Sequence, residues 1–301
     1  MKSSTIALLA FLISLHSPSL FPQSNDRIGV WESLRVTDAA FAERSRTLGM
    51  NQAFLDVFGE GAVLFRRGPV DARLLYEQVS PKDRLNSTLE SKANYIDFSR
   101  SGDLGLTSGP YRYSVGSGEE LRRSYGHFVT IWRKFEGEWR MVADMVLRVP
   151  GVLSLDVEPD IRETDQFLAE TAPESETINN TVDSLIDSDA RLIASINFGG
   201  GRRAVTRFGV EHQRVFVPGM APGIGNESAS IVYGTYMDEQ MELSLLDSEL
   251  SGAFLAASGE SGYTYGTMSV EGSDFNTNYL RYWHYTNAGE WKVAVEVLSP
   301  F

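Results

Sequence analysis

The sequence predicts a tandem α+β protein, two related domains that each place helices first and an antiparallel β-meander last. Two observations carry this. Asp38 and Asp189 lie 151 positions apart (189 − 38 = 151), each inside a near-copy of one segment, Ser33-Leu34-Arg35-Val36-Thr37-Asp38-Ala39 and Ser184-Leu185-Ile186-Asp187-Ser188-Asp189-Ala190. The same offset pairs Ala53 with Ala204, Phe65 with Phe216, Gly68 with Gly219 and Trp132 with Trp283, one register without insertions over most of each copy.

Taken in order, residues 1–23 read as a secretory signal: Met1-Lys2, an apolar run over 6–15, then His16-Ser17-Pro18-Ser19. The run falls short of the ~20 apolar residues a membrane span needs. A disordered or interfacial N-terminus is the alternative. Residues 26–148 form the first domain. Helical periodicity covers 26–56, and Gly59-Glu60-Gly61 breaks it before a strand at 62–66 and a short helix at 70–78. Alternation then predicts strands at 95–98, 105–114, 126–135 and 138–146, with turns at Ser101-Gly102-Asp103 and Glu136-Gly137. Residues 149–180, acidic and holding Pro159 and Pro173, read as a linker with one helical turn near 166–170. The second domain, 181–301, repeats the order: a helix at 184–197, a stop at Gly199-Gly200-Gly201, a strand at 211–217, and a terminal Gly289-Glu290-Trp291 that answers Gly137-Glu138-Trp139.

With 301 residues, 42% of them hydrophobic, the chain can bury two cores, and without cysteine it forms no disulfide. A net charge of −13 argues against nucleic acid and disfavours anionic partners. No segment after the signal is apolar enough to span a bilayer, so a protein without membrane span, secreted or periplasmic, is expected. The sequons at Asn86, Asn179 and Asn226 are expected by chance at this length. His16, His127, His212 and His284 show no paired spacing, so no metal is expected, nor any cofactor. Gly199-Gly200-Gly201-Arg202-Arg203 lacks the Lys-Ser/Thr ending of a phosphate loop.

Leu34, Asp38, Phe41, Ser45 and Leu48 fall within an ~80° helical stripe, which sets a carboxylate in an apolar face. Leu185, Asp189, Leu192 and Ile196 do the same. Such an acid either has its pKa raised for proton transfer or is a structural group satisfied by sheet donors. In the last strand, alternation sets Trp139, Met141, Ala143 and Met145 against Arg140, Val142, Asp144 and Val146. Asp144 and Glu296 are expected to face outward and pair with Arg140 and Lys292, unless the Trp face is the outer one.

Asp38-Ala39-Ala40-Phe41, Leu64-Phe65-Arg66-Arg67-Gly68-Pro69, Gly102-Asp103-Leu104-Gly105, Trp132 and Gly137-Glu138-Trp139, in this order, resemble the cone-shaped nuclear-transport-factor-2-like (NTF2-like) superfamily, closest to its SnoaL-like and ketosteroid-isomerase-like members. Copy two departs from the pattern, with Leu192 for Phe41 and Pro218 for Arg67. The resemblance implies two cones, each a curved antiparallel sheet around helices, often dimeric, with a pocket inside. It covers both binders and isomerases, cyclases or dehydratases. Three functions follow as expectations. A small apolar or aromatic molecule is bound by Phe41, Phe65, Tyr111, Phe128, Trp132, Asp189, Tyr263 and Trp283; or Asp38 is a base with His127 or Tyr111 as partner; or the protein is an interaction module. The two copies are expected to pack together as an intramolecular pseudo-dimer.

Overall fold

A computed structural model describes residues 24–79, 87–171, 180–241 and 244–301. The signal expected at 1–23 lies outside them. The first copy opens with α1 (Ser24–Leu48) and α2 (Met50–Val57), then β1 (Phe58–Arg66), β2 (Gly68–Asp71), α3 (Ala72–Glu77), β3 (Ser87–Ser91), β4 (Tyr95–Phe98), β5 (Leu104–Val115), β6 (Arg122–Phe135) and β7 (Glu138–Val149). After α4 (Ile161–Glu170), the second copy runs α5 (Val182–Gly199), α6 (Gly201–Phe208), β8 (Gly209–Phe216), β9 (Gly223–Ile224), α7 (Asn226–Met241), β10 (Leu246–Leu255), β11 (Ser261–Val270), β12 (Asn276–Tyr285) and β13 (Trp291–Pro300).

The strands form two separate mixed sheets, ordered β2-β1-β7-β6-β5-β3 with β4 on β5, and β10-β11-β12-β13-β8-β9. In each, the strand after the helices pairs parallel with the last strand, β1 with β7 and β8 with β13, while the remaining neighbours run antiparallel. The predicted helix over 26–56 is two helices, because Gly49 takes φ 87, which no L side chain adopts readily. Gly200, its counterpart, takes φ 82 between α5 and α6. A second glycine pair lets helix and sheet touch: a Cβ on Gly105 would lie 2.5 Å from Leu34 Cδ2, and one on Gly262 2.7 Å from Leu185 Cδ2.

Both faces of both sheets are buried. Leu34, Phe41, Phe54, Phe58, Trp132 and Trp139 form the interior of the first cone. Leu185, Leu192, Tyr233, Met237, Trp283 and Trp291 form that of the second. A third apolar cluster joins the outer faces, with Leu104, Leu106, Val129, Ile131 and Met145 from the first sheet and Tyr263, Leu280, Tyr282, Val295 and Val297 from the second.

Three sequence expectations are corrected. The register between copies is not free of insertions. Thr107 and Thr264, which make the same bond to Asp38 and Asp189, are 157 apart (264 − 107 = 157). The offset returns to 151 at Trp132 and Trp283 because the β11–β12 hairpin is shorter than β5–β6. The stretch read as linker carries the ten-residue α4, seated on both copies by Thr164 Oγ1 donating to Ile96 O (2.6 Å) and by the Arg214–Glu163 ion pair (2.5 Å). The strict alternation expected for the last strand fails, with consequences for the site.

Candidate functional site

β7 carries a bulge: its pairing with β6 slips between Ile131 opposite Ala143 and Trp132 opposite Met141, leaving Val142 as the extra residue. An extra residue reverses the sidedness of everything beyond it. Trp139 and Met141 therefore point into the first cone, Ala143, Met145 and Leu147 join the inter-sheet cluster, and Asp144 turns inward. β13 slips at the matching place, between Tyr282 opposite Val295 and Trp283 opposite Val293, so Glu296 turns inward too. The outward row of Asp144 with Arg140 and Glu296 with Lys292 does not exist. Asp144 is 8% exposed and Glu296 1%.

Each cone holds the same polar chain. Trp132 Nε1 donates to Thr107 Oγ1 (2.9 Å), whose hydroxyl donates to Asp38 Oδ1 (2.8 Å). In the second copy Trp283 Nε1 donates to Thr264 Oγ1 (2.9 Å), which donates to Asp189 Oδ1 (2.7 Å). The two interiors diverge in the helix before the meander, six-residue α3 against sixteen-residue α7, and at the residue beside the second acid. In the first, Thr130 Oγ1 donates to Asp144 Oδ1 (2.6 Å). Its counterpart 151 positions on is Arg281 (281 − 130 = 151), which donates from Nε to Glu296 Oε1 (2.8 Å) and from Nη1 to Asp189 Oδ1 (2.9 Å), with Tyr279 OH also donating to Asp189 (3.0 Å). Arg281 is fully buried and lies 4.2 Å from the Tyr279 ring centroid. The guanidinium thus lies in the second interior and bridges both acids.

The first cone opens into a cavity of about 600 Å³. Met50, Phe54, Leu64, Tyr76, Leu89, Tyr111, Tyr113 and Val146 give it an apolar and aromatic wall, Asp144 a carboxylate, and Arg66 and Arg148 two cations. Pro218, Ser299 and Pro300 of the second copy complete its edge. Burial pushes the Asp144 carboxyl up to about 6, against the Thr130 hydrogen bond and the nearby Arg66 charge, which favour its ionised form. Burial pushes Asp38 up to about 7, with Thr107 opposing. Tyr111 is raised by burial, while the nearby Arg148 charge works the other way.

Of the residues chosen from sequence, Tyr111 stands on the cavity wall, and Phe65 borders it while turning its ring to Tyr265 (5.9 Å between centroids). Phe41 stacks edge-on with Phe54 and Trp132 in the core (4.8 and 6.5 Å). Phe128, Trp132 and Trp283 are likewise core residues. Tyr263 lies between the sheets. Asp189 is committed to Arg281, Thr264 and Tyr279. His127 cannot assist Asp38, because alternation along β6 sets it on the outer face, 5.5 Å from the Phe216 ring centroid, with its pKa lowered by burial. Asp38 itself is outside the cavity wall. Sequence reasoning allowed Asp144 inward only with the Trp face outward, and it missed Arg66 and Arg148. The one available signal was an acid five residues after the strand's tryptophan in both copies, Trp139–Asp144 and Trp291–Glu296.

No family model matches the sequence, and no curated protein does. Among solved structures, a ketosteroid isomerase-like protein from Erwinia carotovora atroseptica aligns at 13% identity over 41% of this chain and 98% of its own, with a TM-score of 0.35. An NTF2-like protein from Cytophaga hutchinsonii aligns at 16% identity over 40% of this chain and 99% of its own, with a TM-score of 0.32. A Catenulispora acidiphila protein solved in complex with S-DNPA aligns at 9% identity over 39% and 91%, with a TM-score of 0.32. The protein is similar, one copy at a time, to ketosteroid isomerase-like and NTF2-like proteins of single-copy length.

Proposed function

We propose that this is an exported binding protein that holds a small apolar or aromatic molecule in its first cone, the second cone serving as a structural partner. The observation that carries the reading is the contrast between the interiors: the first, beside the six-residue α3, holds a cavity of about 600 Å³, whereas in the second Arg281 and the α7 side chains Tyr233 and Met237 are fully buried. Pockets of this volume with an apolar lining and a few placed polar groups suit small ligands. The apolar contact between the outer sheet faces takes the place of a dimer interface, so that no second chain is needed to cover either sheet. A basic start and short apolar run at the N-terminus support export.

Native mass spectrometry after incubation with a lipid and metabolite extract tests the binding. Retained small molecules are expected on the wild type and their loss on Thr130→Arg, which copies the arrangement around Arg281 while keeping Asp38 and Asp144 paired. A variant that folds and retains the same molecules as wild type would sink the assignment of the cavity.

One observation favours a second reading, proton transfer next to a carbonyl. Asp144, raised to about 6, is ionised at neutral pH yet basic enough to take a proton. The proton would pass from carbon to the Asp144 carboxylate as the electron pair moves to the carbonyl oxygen, which accepts a hydrogen bond from Tyr111. Asp144, and not Asp38, is the base in this scheme. Deuterium washed from solvent into a bound ketone by wild type but not by Asp144→Asn would support it; equal exchange in both would remove it.

A further inference from the structure

We propose that the molecule held in the first cone is an amphipathic carboxylic acid, its carboxylate taken by Arg66 and Arg148 at the mouth and its apolar body lying inside. The proposal rests on the cavity's being a binding site and names the class of its ligand. The wall divides by burial. Phe54, Leu64, Tyr76 and Leu89 are buried, and together they are apolar; Arg66 and Arg148 are exposed, and so mark the entrance. Among the described residues neither arginine makes an ion pair, in a chain with 40 acidic against 27 basic side chains. Two guanidinium groups against the single carboxylate of Asp144 on one cavity are a local reversal of the molecule's charge.

Arg66 is held in place. The Arg66 carbonyl accepts from Asn278 Nδ2 (2.8 Å), a side chain of the second copy that is 1% exposed, and its Nη1 donates to Phe65 O (2.8 Å). Arg148 stands beside the Tyr111 hydroxyl, on which its charge acts. Fixed guanidinium forks suit the two oxygens of a carboxylate, and fixing them in advance lowers the entropy lost on binding. The net charge of −13 does not overrule them, since exposed charges more than ~8 Å away are largely screened at physiological ionic strength. Asp144 sets the direction: a carboxylate entering first would meet its charge, so the acid group stays at the mouth.

Calorimetric titration of the full chain with decanoate, decanol and decylamine, each below its micelle concentration, tests this. Decanoate is expected to bind about tenfold or more tighter than decanol, the ratio falling at 0.5 M salt and reaching about one in Arg66→Ala/Arg148→Ala. Equal affinities for decanoate and decanol in wild type, or a preference for decylamine, overturn the carboxylate assignment and leave the cavity as an apolar site. If none of the three binds, the binding reading fails as well, and this proposal with it.

Discussion

Single side chains decide what each interior can do. Arg281 bridges Asp189 and Glu296 away from solvent, and a buried acid stripped of its countercharge is costly. Arg281→Ala is therefore expected to lower unfolding free energy by about 3–5 kcal/mol, measured by urea titration, with part recovered when Asp189→Asn and Glu296→Gln are added. A loss below about 1 kcal/mol would mean that the pair is not buried as described. The first interior behaves differently, because Asp38 and Asp144 bind protons more tightly folded, near 7 and 6, than at the ordinary 3.8. The stability they confer is complete below pH 3.8 and is lost as pH rises through 6 and 7, each tenfold gain in proton affinity being worth about 1.4 kcal/mol. The urea midpoint should fall from pH 5 to pH 8, and fall less in Asp38→Asn/Asp144→Asn, where Glu296, also raised by burial, still contributes. Identical slopes in both proteins would contradict this.

At the scale of elements, the periodic parts of the chain are legible in the sequence and the irregular ones are not. The repeated acid in the apolar helix stripe, helices ahead of strands and the final hairpins follow from residue period and turn chemistry, whereas the Trp–Thr–Asp chain does not, its threonines lying off the 151-residue register. β7 and β13 defeat such reading, because a bulge changes which face a side chain uses without leaving a mark in composition, and so alternation alone sends Asp144 to solvent. Tyr263 passes for a pocket residue because an apolar residue on a sheet does not reveal which of two buried faces it serves. The break at Gly49 is also hidden, a lone glycine being ambiguous where the Gly199-Gly200-Gly201 run is not. At φ 87, ψ 151 the backbone there is in a region kept for glycine. Gly49→Ala should cost about 1–3 kcal/mol, read as a lowered thermal midpoint, and a neutral result would mean the joint between α1 and α2 relaxes freely.

The whole molecule is held by more than the apolar seam. Asp97 Oδ2 is 2.8 Å from His284 Nε2 across the copies, Tyr95 OH donates to the same oxygen (2.8 Å), Glu260 Oε1 accepts from the Arg100 backbone (2.6 Å), and Ser101 meets Ser258 at 2.8 Å. Apolar surface and buried polar partners of this kind are exposed together or not at all. One cooperative transition is expected in guanidinium denaturation, with intrinsic tryptophan fluorescence and far-ultraviolet dichroism superimposing; two resolved steps would show the copies to be energetically independent.

The replacement of threonine by arginine at one of two matched positions has a consequence for how such a molecule can change over time. Two identical chains in partnership must express every substitution twice, so a cation that braces one would block its twin. Joined end to end, each half accumulates its own changes, and one can become ballast while the other stays hollow.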